Sequence, residues 1–191
     1  MSQPARLSSL PEIEAAIWRE LAAAIRSRGQ AQHGWRLGVL ATVDGEAADA
    51  RSVVLRDIDA AAHTLLMYTD ARSPKAQQLV AHPQGTLVLW SAALGWQLRL
   101  RVLLSLQTSG LQVSSRWAQL KLTPAAQDYL SPLPPGTVLG TPVQVPAPER
   151  QSRGHFAVLT AQVQSTDWLE LHTQGHRRAR FTDAQAVWVT P

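Results

Sequence analysis

The chain has 191 residues, 45% of them hydrophobic and 17% charged, which allows one globular domain with its own core and is too apolar for a disordered chain. It has no cysteine, so disulfides, thiolate metal sites and cysteine nucleophiles are excluded together. The net charge of +4 is almost wholly arginine, since lysine occurs only at Lys75 and Lys121; a phosphate ligand, nucleic acid or acidic lipid would each satisfy that excess.

The opening residues lack the apolar core of a signal peptide, and no apolar run approaches the roughly 20 residues of a membrane helix. A cytoplasmic protein without membrane contact is therefore expected. Ser9 and Glu12 have capping-box spacing with Pro11 in the first turn, and Ile13, Ile17, Leu21 and Ile25 then recur every fourth residue. This predicts an amphipathic N-terminal helix within residues 1–30, with Gly29 as its stop. Strand patterns follow at Arg36–Val43, Ala50–Arg56 and Thr64–Thr69, with turns at Asp44-Gly45 and around Asp57–Ala61. Asp57 and Asp59 fall in that second turn, where aspartate is favoured for backbone reasons.

Ser73 as N-cap and Pro74 at the first helical position predict a short helix over Lys75–Ala81, ended by Pro83. Thr86–Trp90 and Trp96–Leu104 read as a strand pair. In the second, Trp96, Leu98, Leu100 and Val102 alternate with Gln97, Arg99 and Arg101, giving one apolar and one polar face. Val113–Leu130 reads as helix, broken before Thr123-Pro124. Residues 131–154 hold six prolines and read as a long loop. Phe156–Val163, Trp168–His172 and Ala186–Val189 return to strand character. The sum is a single, mainly β (α+β) domain over residues 1–191, an antiparallel barrel with flanking helices.

One segment has the physical logic of an anion site. A strand leads through a turn into a helix starting at Ser73, Pro74 and Lys75, where free amides and the positive end of the helix dipole gather. Arg51, Arg72 and Lys75 could add charge-assisted bonds to a phosphate. A plain capped helix with solvated arginines fits the same residues. His172–Arg180 holds two histidines and three arginines. Its i, i+4 histidines would need a helix to share a metal while their neighbours read as a hairpin, so no metal site is expected. A solvated charged hairpin or a nucleic-acid patch remains.

The order Arg51-Ser-Val-Val-Leu-Arg56, Tyr68-Thr-Asp-Ala-Arg-Ser-Pro-Lys75-Ala, His82-Pro, Leu87-Val-Leu-Trp90 and Gln97 resembles the pyridoxamine 5′-phosphate oxidase family, in its FMN-binding branch. Trp168-Leu-Glu-Leu, His176-Arg-Arg-Ala-Arg-Phe181 and Trp188-Val-Thr-Pro191 extend the similarity to the C-terminus. The resemblance implies a split β-barrel homodimer with FMN at the subunit interface. Arg51 and Lys75 would hold the FMN phosphate beside Ser73. Ser52, Val53, Val54 and Leu55 would present backbone to the ring, ending at the basic Arg56. Tyr68 and Thr69 would lie along the flavin, Gln97 would reach it from the next strand, and Arg180 would come from the other subunit.

Pro74 stands where the family has an arginine, and Arg72 is the residue expected to replace that charge. The family's flavin-side tryptophan falls near Leu169 or Glu170, one or two residues from Trp168. His176 and Arg178 occupy the family's substrate-binding Arg and His places in reversed order, and no substrate trio can be matched over Arg116–Tyr129. The expected function is an FMN-dependent oxidoreductase acting on an unidentified small molecule. The alternatives are an FMN carrier or sensor without turnover, and a basic nucleic-acid-binding protein.

Overall fold

A computed structural model describes residues 6–27, 32–139 and 154–191 of the chain. Helix α1 spans Leu10–Arg26, and its capping box forms as the sequence predicts. The Glu12 amide donates to Ser9 Oγ at 3.4 Å, while the Ser9 amide donates to Glu12 Oε2 at 3.2 Å. Its apolar stripe, Ile13, Ile17 and Leu21, is buried against the sheet. The predicted stop at Gly29 lies outside the described residues.

Nine strands follow among the described residues: β1 Leu37–Asp44, β2 Ala47–Val54, β3 Asp57–Asp59, β4 Thr64–Asp70, β5 Gln84–Ser91, β6 Trp96–Gln107, β7 Phe156–Glu170, β8 Arg177–Thr182 and β9 Ala186–Val189. Helix α2 (Pro74–Ala81) lies between β4 and β5. Helix α3 (Leu111–Leu120) and a 3₁₀ helix (Pro124–Tyr129) lie between β6 and β7. All pairings are antiparallel, in the order β2-β1-β5-β6-β7-β4-β3, with β8 also on β7 and β9 on β8.

The sheet forks at β7. Phe156–Gln162 pairs with β4, Ser165–Glu170 pairs with β8, and β6 runs beside both halves. Two backbone bonds help close the barrel where the chain leaves β2. The Leu55 amide donates to the Arg36 carbonyl at 3.0 Å, and the Arg56 amide to the Leu66 carbonyl at 2.8 Å.

The fork divides the apolar residues into two cores. The larger fills the barrel under α1 with Trp35, Leu40, Leu87, Leu98, Leu100 and Trp168 among its members. The smaller lies on the other face of β4 and β7, where Leu66, Phe156 and Val158 meet Val113, Trp117 and Tyr129. Each fully buried Leu or Phe contributes about 1.5–3 kcal/mol.

Two sequence expectations change. Asp57 and Asp59 belong to strand β3, paired with β4, and the turn moves to residues 60–63, where His63 takes φ 49°. Phe156–Val163 and Trp168–His172 are parts of one 15-residue strand ending at Glu170. Arg177–Thr182, read as the arm of a charged hairpin, forms strand β8 antiparallel to β7, in keeping with that reading.

Candidate functional site

Arg51 and Lys75 lie at the edge of the barrel, near enough for the charge of one to act on the other. Arg51 lies opposite Leu40 and shares its inward face. Its guanidinium donates to Thr42 Oγ1, to Gln78 Oε1 of α2 at 3.1 Å, and to Asp49. Gln78 Nε2 in turn donates to Asp49 at 2.9 Å, so β1, β2 and α2 are bound into one polar cluster.

Lys75 stands in the first turn of α2 and is half-buried. Its ammonium donates to Thr69 Oγ1 at 2.9 Å and to Ser73 Oγ at 3.5 Å, both neutral acceptors. Burial lowers its pKa from the ordinary value, and the charge of Arg51 lowers it further. The Ser73 hydroxyl makes no cap to the helix; it is shared with Thr69 at 3.2 Å and turned toward Lys75. The Lys75 amide has no acceptor within the described chain, because Pro74 ahead of it and the Ala76 bond to Ser73 leave only that donor of the first turn free. Two converging cations, a free helix-start amide and two hydroxyls are a donor set that suits a phosphate.

Arg72 is committed elsewhere. It takes Asp70 bidentately at 3.1 and 2.7 Å and reaches the carbonyls of Ser131, Pro132 and Leu133 at 2.8, 3.1 and 3.4 Å. Burial alone would raise the Asp70 carboxyl, but hydrogen bonds from the Arg72 side chain and backbone outweigh it and hold the pKa below its ordinary value. The guanidinium therefore fastens the segment after the 3₁₀ helix to the β4–α2 turn instead of replacing the charge lost at Pro74.

Strand register separates the remaining residues by face. Gln97 lies opposite Trp90 on β5 and Leu169 on β7, and Leu169 lies opposite Arg178 on β8. The next row is Ser52, Val39, Val88, Arg99, Asp167 and Arg180. Opposed residues share a face, so Gln97, Arg178 and Arg180 stand on the outer surface of the sheet, away from Arg51. A groove of about 320 Å³ opens there, lined by Arg99, Arg101, Asp167 and Arg180 among others.

Arg178 grips both Asp167 oxygens at 2.8 and 2.7 Å, and Arg180 reaches Asp167 at 3.4 Å. His176 is exposed in the β7–β8 turn, where its Nδ1 accepts the His172 amide at 3.1 Å. Trp168 is fully buried in the barrel core, so Leu169, and not Trp168, faces the side of Gln97. Among the described residues there is no cluster of His, Asp and Glu able to hold a metal.

A second cluster joins Arg56 and Tyr68, both named by the resemblance, to Arg116 and Tyr129, which no motif in the sequence singled out. Arg56 lies over the Tyr68 ring at 5.5 Å, and Tyr68 packs edge-on to Phe156 at 4.9 Å and to Tyr129 at 6.4 Å. Arg116 of α3 pairs with Asp57 at 2.6 Å. The Nε atoms of Arg56 and Arg116 are buried without an acceptor. Burial raises the Tyr129 phenol above its ordinary value, against the opposing pull of Arg56, and keeps it protonated at neutral pH. The one available signal was Arg116 itself, a charge beside the buried Val113 and Trp117 stripe of α3.

Residues 15–106 match the family described as pyridoxamine 5′-phosphate oxidase, FMN-binding domain. A pyridoxine/pyridoxamine 5′-phosphate oxidase from Caulobacter vibrioides is 28% identical over 165 residues, spanning 79% of this chain and 72% of its own length. The crystal structure of a pyridoxamine 5′-phosphate oxidase-related, FMN-binding protein from Nostoc punctiforme superposes with a TM-score of 0.69 at 23% identity, covering 93% of this chain and 96% of that one. PhzG from Burkholderia lata, solved with tetrahydrophenazine-1-carboxylic acid, gives 0.73 at 15% identity, covering 100% of each chain.

Proposed function

Because the chain belongs to the pyridoxamine 5′-phosphate oxidase-related, split-barrel family, we propose that it is an FMN-dependent oxidoreductase that works as a homodimer on a small-molecule substrate. The observation that carries the cofactor is half-buried Lys75 within reach of the Arg51 charge, two cations with hydroxyls and a free amide around them. They would hold the FMN phosphate together with Thr69 and Ser73. The backbone of Ser52, Val53, Val54 and Leu55 would border the ring, with Arg56 and Tyr68 at its far end.

Gln97 and Arg180 occupy the opposite face of the sheet from Arg51, so one protomer cannot close both on one flavin. In this reading a second copy supplies them, which is the reason to propose a dimer. Arg178 stands beside Arg180 on the same strand, and His176 lies just before β8; both would border the substrate.

Bound FMN would supply the hydride or electron acceptance. The protein would bind the phosphate, orient the ring and, where the two copies meet, exclude water from it. No side chain is assigned as general acid or base. Arg72 serves the site by fastening the turn that carries Ser73 and Lys75.

The purified protein tests this reading directly. A yellow preparation, or uptake of added FMN that Arg51→Ala and Lys75→Ala abolish, is the expected result; a colourless protein that takes up no FMN overturns it. A flavin carrier without turnover would use the same cofactor site, and the tying of Arg178 to Asp167 favours it, since that arginine is less free to grip a substrate. Reduction of the bound flavin by a B6 compound or reduced nicotinamide separates carrier from enzyme. A nucleic-acid role has less support, because Asp167 and Glu170 already sit against the arginines of β8.

A further inference from the structure

We infer that the cavity beneath helix α1 binds an organic ammonium cation, at a site separate from the Arg51–Lys75 cluster and independent of the flavin reading. Strand β7 loses β4 as a neighbour after Gln162 and gains β8 only at Ser165. The gap between those two strands opens a cavity of about 330 Å³, at the lower end of the range of about 300–1,000 Å³ for small-molecule sites. Buried Val163 and Phe181 line it from the sheet, Glu14 and Trp18 from α1, and His63 from the turn before β4.

Glu14 carries the sign of the ligand. Among the described residues, every other half-buried or buried carboxylate (Glu20, Asp49, Asp57, Asp70, Asp167 and Glu170) has an arginine or histidine against it. Half-buried Glu14 has neither, and no hydrogen bond, in a chain of 18 basic and 14 acidic residues. A bound cation would complete it. Asp183 adds a second carboxylate to the lining, and no described lysine or arginine lines the cavity. The described His, Asp and Glu side chains form no group able to hold a metal, which selects an organic cation over an ion. The walls suit its body. Trp18 and His63 stack at 4.9 Å and 13°, and the indole offers π surface to a cation. His63 keeps its place from a left-handed backbone, φ 49°, with its carbonyl accepting the Val163 amide at 2.9 Å. That conformation is costly outside glycine and gathers at ligand sites. The Thr166 hydroxyl, on a residue 7% exposed, lines the same cavity without a partner among the described residues, so an ammonium N–H has a neutral acceptor as well.

The test is calorimetric titration of the purified full chain with 2-phenylethylamine, beside its neutral analogue 2-phenylethanol and the anion phenylacetate. The amine should bind saturably with a Kd below about 1 mM and at least about tenfold tighter than the alcohol, and the anion should not bind. Glu14→Gln should weaken the amine about tenfold or more while urea unfolding and FMN uptake keep their wild-type values, since the carboxylate has no partner in the described chain to lose. Trp18→Leu should weaken it about three- to tenfold. Equal binding of amine and alcohol, no saturable binding of the amine, or an amine affinity unchanged in Glu14→Gln overturns the inference and leaves the flavin reading standing. Should Glu14→Gln not fold, Asp183→Asn at the exposed carboxylate decides: a loss of about threefold or more supports the site, and full affinity overturns it. Amine binding without FMN uptake overturns the flavin reading alone.

Discussion

At the scale of single residues, Lys75 sets function against stability. Its ammonium is desolvated and faces Arg51, so the folded chain without a ligand bears a cost that an anion would relieve. Lys75→Met should therefore leave the cofactor-free protein as stable or more stable in urea, while FMN affinity, followed by flavin fluorescence, falls about 10- to 100-fold. Arg72→Ala should act differently. Its guanidinium holds the 131–133 carbonyls, so proteolysis should increase in that segment while FMN affinity falls much less than in Lys75→Met.

Glu170 gives the pH dependence. Burial pushes its carboxyl up, but bonds from Arg177 and Arg6 outweigh this and hold it below the ordinary value of 4.5. The folded state therefore binds fewer protons than the unfolded one in that window. The stability it contributes is complete above about pH 4.5 and is lost as pH falls through the lowered value. Glu170→Gln should cost about 1–3 kcal/mol at pH 7 by urea unfolding and show a shallower loss on acidification than wild type.

At the scale of elements, local chemistry explains what could be read from sequence and what could not. The Ser9 capping box and the four-residue apolar spacing dictate α1 without help from elsewhere, and Ser9→Ala should cost about 1 kcal/mol in thermal unfolding. Strand β6 was equally legible, because its alternation is unbroken from Trp96 to Val102. Strand β7 was not. Its residues facing the barrel core are odd-numbered up to Val163 and even-numbered from Thr166, a change of parity at Gln164 that looks like the end of one strand and the start of another. Asp57 was misplaced for a related reason. Its side chain suits a turn, but pairing with β4 and the bond to Arg116 outweigh that preference.

The candidate site was legible where it depends on chain-local order, as at Arg51, Ser73 and Lys75. It was not where it depends on packing. The commitment of Arg72 to Asp70, the Arg116–Asp57 pair and the burial of Trp168 are long-range or three-dimensional facts without a local signature.

At the scale of the whole molecule, the outer face of the sheet carries Leu37, Val39 and Trp90 at 52%, 44% and 45% exposure, in or beside the rows that hold Gln97 and Arg180. A second copy placed over this face would cover apolar surface and bring Gln97 and Arg180 to its neighbour's flavin in one step. Val39→Glu should then give a folded monomer by sedimentation with native circular dichroism, and FMN affinity should fall with it although Val39 lies on the face opposite Arg51. A Val39→Glu protein that stays dimeric, or binds FMN as a monomer, would count against the shared site.

The parity change in β7 also bears on how this sequence can drift in length. Gln164 is the surplus residue opposite the Arg101/Val102 step, so a lineage that lost it would keep Val163 and Trp168 inward and Asp167 outward. Loss of Leu159 or Thr166 instead would turn part of the strand inside out, sending core residues to water and arginine partners into the barrel. Related chains should therefore tolerate a gap at this one place in the strand, and the fork of the sheet marks where inheritance is permitted to miscount.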